Sequence, residues 1–108
     1  MKRQLLSLLS LCRRAGGLCS GGTACEDAVR CRKALLVIAG ADASDNTKKR
    51  FSQKAFHYGV AYKETLTKEE IGRAIGVGET AVIAVTNGSF SGRILELIEA
   101  ESNNVSQE

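Results

Sequence analysis

Apolar residues recur every three or four positions in the first segment of the chain, as they do on one face of a helix. This face consists of Leu5, Leu6, Leu8, Leu9 and Cys12. Ser7 and Ser10 fall on the other side, and Arg13 and Arg14 close the apolar run. Because serines break the run, the pattern predicts an amphipathic first helix in preference to a secretory signal.

Two T-x-x-E motifs predict the starts of the second and fourth helices. In this motif the threonine side chain caps a free amide, and the glutamate reaches back to the threonine amide. Thr23 with Glu26 predicts a second helix from about residue 24 to residue 33. Thr67 with Glu70 predicts the fourth helix, which Gly76 ends.

The third and fifth helices are indicated by apolar stripes that follow a capping residue. Ser44 is predicted to cap the third helix, and Gly59 is predicted to end it. Either Asn87 or Ser89 begins the last helix. The inward face of that helix is predicted to hold Phe90, Ile94, Leu97 and Ile98.

Short apolar runs separate the helices. Leu35–Gly40 and Ala81–Val85 are apolar throughout, which is typical of strands covered on both faces. Leu18–Ser20 and Val60–Glu64 are two further strand candidates. Strands that alternate with helices predict an α/β domain whose central sheet carries helices on both faces.

The composition is that of one folded domain. The chain has 108 residues, of which 44% are apolar and 25% charged, and we expect no membrane association because no stretch is long and apolar enough to span a bilayer. Residues 1–54 contain eleven Lys and Arg against four Asp and Glu, whereas residues 55–108 contain four against eight. Such an imbalance favours a polyanionic partner on one face.

The residues that most often carry chemistry are few. The cysteines are Cys12, Cys19, Cys25 and Cys31. Their spacing fits no zinc motif, so we interpret them as reduced thiols that act as small apolar residues in a cytoplasmic protein. We interpret the single histidine, His57, as a surface residue and predict no enzyme, metal or cofactor. A small enzyme with a nucleotide-sized pocket near Asp42 is kept as a third hypothesis.

Basic residues collect near three helix ends. Arg14 ends the first helix, and Arg30 and Lys33 end the second, where the helix dipole favours cations. The first turns of the third helix carry Lys48, Lys49 and Arg50, and Lys54 follows. These cations oppose the dipole, which hints at a partner, although an exposed solubilising face is the more common reason for such a run.

Four segments in fixed order resemble a known family. They are LLSLCRRAGGLCSGGTACEDAV, LLVIAGADASDNTKKRF, YGVAY and EEIGRAIGVGETAVIAVTN. Together, from about residue 5 to residue 97, they are similar to the kink-turn RNA-binding ribosomal-protein superfamily of L7Ae and L30e type, in its small bacterial branch of unassigned function. The resemblance implies a three-layer α-β-α sandwich with a central four-stranded mixed sheet. It also implies binding of structured RNA without catalysis.

The resemblance also implies where RNA would be held. In the family these places are the start of the second helix and the loop before the last strand. The corresponding residues here are Gly21, Gly22 and Thr23, then Gly76, Val77 and Gly78. Nearby Arg14, Arg30 and Lys33 are predicted to contribute to binding. We expect five cations to gather around Gly21 and attract phosphates, namely Arg13, Arg14, Arg30, Arg32 and Lys33.

This chain departs from the family's usual helix start, which reads G-[ST]-N-E with a lysine further along. Thr23 stands at the asparagine, Ala24 at the glutamate and Asp27 at the lysine. A capping box at Thr23 and Glu26 would also occupy two of the free amides. We therefore expect a well-capped turn instead of an open phosphate cradle, and a non-standard RNA specificity.

Two functional hypotheses lead. The first is a cytoplasmic, non-catalytic RNA-binding protein whose partner is structured RNA, with ribosomal RNA as one candidate. The alternative is a protein-interaction module on the same fold that has lost RNA binding, which the acidic start of the second helix favours. Residues 1–101 are predicted to form the single domain and residues 102–108 a polar C-terminal tail.

Overall fold

The computed structural model describes residues 2–106, with the side chains of residues 2–101. Its helices are α1 (Lys2–Arg14), α2 (Gly22–Arg30), α3 (Asp45–Tyr58), α4 (Lys68–Ile75) and α5 (Gly88–Ser106). Its strands are β1 (Leu18–Ser20), β2 (Leu36–Ala39), β3 (Ala61–Glu64) and β4 (Val82–Val85). Every helix and strand predicted from the sequence is present, with shifted ends.

The four strands form one mixed sheet in the order β1-β4-β2-β3. β2 and β3 are parallel, and β4 runs antiparallel to both β1 and β2. The register places Leu36 of β2 opposite Val85 of β4 and Ala39 opposite Val82. The predicted α-β-α sandwich around a mixed sheet is confirmed.

The sheet divides the core into two layers. On one face, α1, α4 and α5 pack around side chains that include Leu5, Leu9, Ile38, Ile71, Ile83 and Ile94. On the other face, α2 and α3 pack around Cys25, Val29, Val37, Phe51 and Ala84. All residues of β2 and β4 are buried because helices cover both sides of these strands.

Most of the predicted helix ends are confirmed. The capping box of α4 is formed, with the Thr67 N–H donating to Glu70 Oε1 at 2.9 Å and the Glu70 N–H donating to Thr67 Oγ1 at 3.1 Å. Gly59 and Gly76 end α3 and α4 in the left-handed conformation. Of the two residues predicted to begin α5, Asn87 does so, since its Oδ1 accepts from the Ser89 N–H at 2.8 Å.

The last helix extends further than its apolar face. Backbone helix continues to Ser106, which lies within the segment predicted as a polar tail, whereas residues 107 and 108 fall outside the described part of the chain. The division between domain and tail stays a prediction. Within residues 2–106, the helices are all too short or too polar to cross a lipid bilayer.

Candidate nucleic-acid interface

Three loops meet at one end of the sheet. Because β1 is antiparallel to β4, the end of β1 lies beside the start of β4, and the Gly21 N–H donates to the Val82 carbonyl at 3.1 Å. After β2, the Gly40 N–H donates to the Ala81 carbonyl at 2.8 Å. The start of α2, the loop before α3 and the loop before β4 therefore lie side by side, at what we call the Gly21 end of the sheet.

The start of α2 is open. Gly21 occupies the N-cap position with φ 93° and ψ 155°, a backbone conformation that favours glycine. The first helical hydrogen bond runs from the Cys25 N–H to the Gly21 carbonyl at 3.0 Å. The amides of Gly22, Thr23 and Ala24 therefore lack a helical acceptor, and no described side chain caps the helix. Three such amides at a helix start are suited to bind an anion.

The predicted capping box at Thr23 and Glu26 is wrong. The hydrogen bond between Gly21 and Val82 holds the chain in the sheet up to Gly21, and the helix begins at the next residue. Thr23 therefore lies inside the first turn, two residues past the cap position, and its side chain cannot cap the helix. The expected well-capped turn is replaced by an open one.

Glu26 is engaged by α3 instead of by the start of its own helix. Its two carboxylate oxygens lie 3.2 Å from Arg50 Nη2 and 3.3 Å from Lys54 Nζ. The Arg50 guanidinium also covers the first residue of α2, since a Cβ on Gly22 would lie 2.8 Å from Nη2. Two cations therefore face one carboxylate beside the open amides, and the local charge favours an anion.

The loop Gly76–Thr80 is fixed against α4. The Val77 N–H donates to the Gly72 carbonyl at 2.9 Å, and the Thr80 N–H donates to the Lys68 carbonyl at 3.1 Å. A Cβ on Gly72 would collide with the Gly78 carbonyl group, so the loop packs directly on the bare backbone of the helix. Held in this way, the loop presents Val77 with 46% of its surface exposed.

The start of α4 explains the role of Asp42. Its Oδ1 accepts from the Lys68 N–H at 2.8 Å. The sequence left this residue open between a turn residue and the acid of an enzyme pocket. The hydrogen bond gives the side chain a structural partner and favours the turn residue.

The five cations predicted to gather around Gly21 do not do so, and Arg13 and Arg32 lie next in sequence to Arg14 and Lys33. Arg14 precedes Gly17, whose carbonyl accepts from the Thr86 N–H at 2.8 Å, just beyond the end of β4. Arg30 is eight residues along α2 from Gly22, a distance of about 12 Å. Lys33 precedes Leu35, whose N–H donates to the Val85 carbonyl at 2.8 Å.

These cations lie toward the opposite end of the sheet, because the connections after α1 and α2 both return there. Arg30 is also paired with Asp27 at 2.7 Å. Gly21, Gly22, Thr23 and the loop Gly76–Gly78 share one end of the sheet. Whether any of these residues touches RNA stays a prediction.

Sequence reasoning did not include Arg50 and Lys54 among the site residues. The sequence did contain an indication of their role. Cations at the start of a helix are destabilised by its dipole, so another interaction must stabilise them. In the structure Glu26 of the neighbouring helix supplies it. Pairing between residues so far apart in the chain depends on the packing of α2 against α3, which periodicity does not give.

The cysteines differ in environment. Cys12 and Cys25 are buried in the two layers of the core, as predicted for small apolar residues, whereas Cys31 is exposed. Cys19 is half-buried and lines a cavity of about 370 Å³ with Ala24, Cys31 and Lys33 among its walls. Interaction with the neighbouring Cys25 thiol lowers the pKa of Cys19 below its usual value.

We predict that Cys19 is alkylated by iodoacetamide with a half-maximal rate at a lower pH than an ordinary thiol, because the thiolate is the reactive species and the pKa of Cys19 is lowered. Mass spectrometry of tryptic peptides against pH measures the rate at each cysteine. In the Cys25→Ala variant the Cys19 profile should move upward, toward the usual value of about 8.5. An unchanged profile in that variant would contradict the assignment of Cys25 as the cause.

The chain is similar to described proteins over most of its length. The model of the ribosomal protein L7Ae/L30e/S12e/Gadd45 family matches residues 3–94. A Bacillus subtilis protein, RNA-binding protein YlxQ, is 35% identical over 92 residues, which are 85% of this chain and 92% of that protein. RNA-binding protein YlxQ of Enterococcus faecium is 35% identical over 98 residues, 91% of this chain and 94% of that protein.

Solved structures show the same fold. A Bacillus halodurans protein of unknown function has a TM-score of 0.85 and 37% identity, over 88% of this chain and 96% of that one. The Giardia lamblia 15.5kD RNA binding protein has a TM-score of 0.74 and 24% identity, over 92% of this chain and 84% of that one. At that identity the second likeness concerns the fold alone.

Proposed function

We propose that this chain, which belongs to the ribosomal protein L7Ae/L30e/S12e/Gadd45 family, is a non-catalytic RNA-binding protein that recognises structured RNA at the Gly21 end of the sheet. One observation carries the proposal: the open amides of α2 lie beside Arg50 and Lys54. The names of the YlxQ relatives support the same assignment. A cytoplasmic location is part of this proposal.

A bent RNA would meet two different surfaces at this end. Phosphate oxygens would accept hydrogen bonds from the amides of Gly22, Thr23 and Ala24, next to the Arg50 guanidinium. An unstacked base would pack on Val77, which the rigid loop holds outward. Neither contact requires a proton transfer or a nucleophile, in keeping with a binding function.

The alternative of a protein-interaction module loses its main support. It rested on the acidic start of the second helix, namely Glu26 and Asp27. Glu26 is paired with Arg50 and Lys54, and Asp27 is paired with Arg30. The acidic surface inferred from the sequence is therefore largely neutralised, which favours RNA over a basic protein partner.

The specificity is proposed to be non-standard. The family's asparagine, glutamate and lysine are replaced here by Thr23, Ala24 and Asp27, all three of them exposed at the start of α2. Each missing contact to a base edge costs on the order of 1–3 kcal/mol of discrimination. Backbone amides and Arg50 still provide affinity for phosphates, but a standard kink-turn loses the contacts that read its bases.

We therefore expect weak binding of a standard kink-turn duplex at physiological salt, and much tighter binding of hairpins enriched by this protein from a pool with a randomised internal loop. Fluorescence anisotropy measures both affinities. The triple variant Thr23→Asn, Ala24→Glu, Asp27→Lys should gain at least about tenfold in kink-turn affinity. Its three positions are exposed, and so is the Asp27–Arg30 ion pair that is lost, so the loss of stability should stay below about 1 kcal/mol.

Nanomolar binding of the kink-turn by the unchanged protein would refute the non-standard specificity. Failure to enrich any hairpin from the pool would refute RNA binding itself. Both measurements need the salt concentration held constant, because phosphate contacts make the affinity fall steeply as salt rises.

A further inference from the structure

Phe56 of α3 has no role in the core. It is 89% exposed, whereas Phe51, five residues earlier on the same helix, is fully buried. An exposed phenylalanine adds nothing to the hydrophobic stabilisation of the fold. Scattered apolar residues are common on protein surfaces, so the meaning of Phe56 depends on what surrounds it.

The surroundings of Phe56 are basic and polar. Lys49 and Gln53 lie seven and three residues before it, on the same outward strip of the helix, which spans about 10 Å. Within the side chains that the structure describes, no carboxylate comes within ion-pair distance of Lys49. The strip thus offers one unpaired cation, one amide and one bare aromatic ring.

A shallow trough of about 380 Å³ runs along the side of this strip that faces α2. Its walls are Arg50, Gln53, Lys54, His57 and Tyr58. Arg50 begins the trough beside Gly22, and the Arg32 guanidinium stands 5.5 Å from the centre of the Tyr58 ring at the far end. Cations therefore mark both ends of the trough, and it begins where the open amides of α2 begin.

We propose that a single-stranded extension of the bound RNA runs from the start of α2 along this trough and stacks an unpaired base on Phe56. The proposal rests on the proposed RNA-binding function and extends its footprint to α3. The occupant we assign is single-stranded RNA because the charge is complementary to phosphates. An exposed aromatic ring next to lysine and arginine is also the usual platform for unpaired bases.

For a base to stack on Phe56, the RNA strand needs only to leave the Gly21 end of the sheet in the direction of α3. Arg50 and Lys54 lie on the side of α3 that faces α2, and they follow each other by one helical turn. Their shared partner Glu26 carries one negative charge, so the pair keeps a net positive charge for phosphates. Gln53 lies between this side and Phe56 and can donate to a base edge or a phosphate.

The test compares a hairpin enriched from the pool with the same hairpin carrying an adenosine tail of about ten nucleotides. The unchanged protein should bind the tailed hairpin about 5- to 100-fold more tightly, the range expected for stacking one base on an aromatic ring. Phe56→Ala should remove most of this advantage while leaving the affinity for the untailed hairpin unchanged. Phe56→Trp should keep the advantage, since indole stacks at least as well.

Leu11→Ala is the matched control, because Leu11 is 51% exposed and lies on α1, on the other side of the sheet. It should change neither affinity. The proposal is overturned if the tail adds nothing, or if its advantage is the same in Phe56→Ala. If the unchanged protein binds no hairpin from the pool, the proposed function fails and this extension fails with it, a result that differs from loss of the tail advantage alone.

Discussion

Replacing Gly72 with alanine should lower the free energy of unfolding by about 2 kcal/mol. The added methyl group would collide with the Gly78 carbonyl group and lie 3.2 Å from Cα of Glu79. In an open helix the same change gains about 1 kcal/mol in helix propensity, but the collision here involves backbone, which cannot rotate away. Urea unfolding followed by circular dichroism measures the change.

Gly92→Ala is the matched control for Gly72→Ala. Gly92 lies in α5, and a Cβ there would meet no atom within 4 Å. Alanine at this position should raise stability by about 0.5–1 kcal/mol. A rise of the same size for Gly72→Ala would contradict the rigid packing of the loop on α4.

The loss of stability at Gly72 has a functional counterpart. The loop can accept the methyl group only by moving away from α4, and that movement shifts Val77. Since Val77 is proposed to contact an unstacked base, Gly72→Ala should also weaken binding of hairpins from the pool under conditions where the variant is still folded. The same measurement on Gly92→Ala should give the affinity of the unchanged protein.

The sequence predicts the layers of this fold because each layer leaves a local pattern. Leu35–Gly40 and Ala81–Val85 are apolar at every position, and Leu36–Ala39 and Val82–Val85 within them form strands buried on two sides. Helical stripes such as that of the first helix identify the faces that cover them. The order β1-β4-β2-β3 leaves no such pattern. The family resemblance implied a four-stranded mixed sheet but not the order of its strands.

The two T-x-x-E motifs show where local prediction fails. Thr67 and Glu70 form the predicted capping box, because Thr65 and Leu66 separate β3 from the helix and Thr67 occupies the cap position in an extended conformation. Thr23 follows a strand that is hydrogen-bonded to β4 through Gly21, and this tertiary constraint starts the helix two residues early. The same local motif thus gives different results according to where the preceding strand ends relative to the threonine.

The electrostatics of the candidate site were also beyond local reasoning. Glu26 seemed from the sequence to repel phosphates, and the cations of the third helix seemed to lack a partner. Glu26 and these cations are partners, because Arg50 and Lys54 approach Glu26 once α2 and α3 pack side by side. The cations at the ends of α1 and α2 are stabilised there by the helix dipole, so their position does not indicate a ligand.

Arg50→Glu should reduce the affinity for hairpins from the pool by about 10- to 100-fold, the size expected for losing a charge-assisted hydrogen bond of about 1.5–3 kcal/mol. The Arg50 guanidinium lies against Gly22, next to the open amides, and a carboxylate there would stand beside Glu26 and repel phosphates. The slope of log affinity against log salt should also become shallower by about one, which is the contribution of one phosphate contact. Stability should change by less than about 1 kcal/mol, because the ion pair that is lost is half exposed.

Arg93→Glu makes the same change in net charge at a different place. Arg93 is exposed on α5, across the sheet from α2, and is paired with Glu96 at 3.4 Å. If RNA binds at the Gly21 end, Arg93→Glu should cost little affinity, since a long-range effect of net charge is screened within about 8 Å at physiological salt. Equal losses in the two variants would mean that binding depends on overall charge, and no loss in Arg50→Glu would remove the start of α2 from the interface.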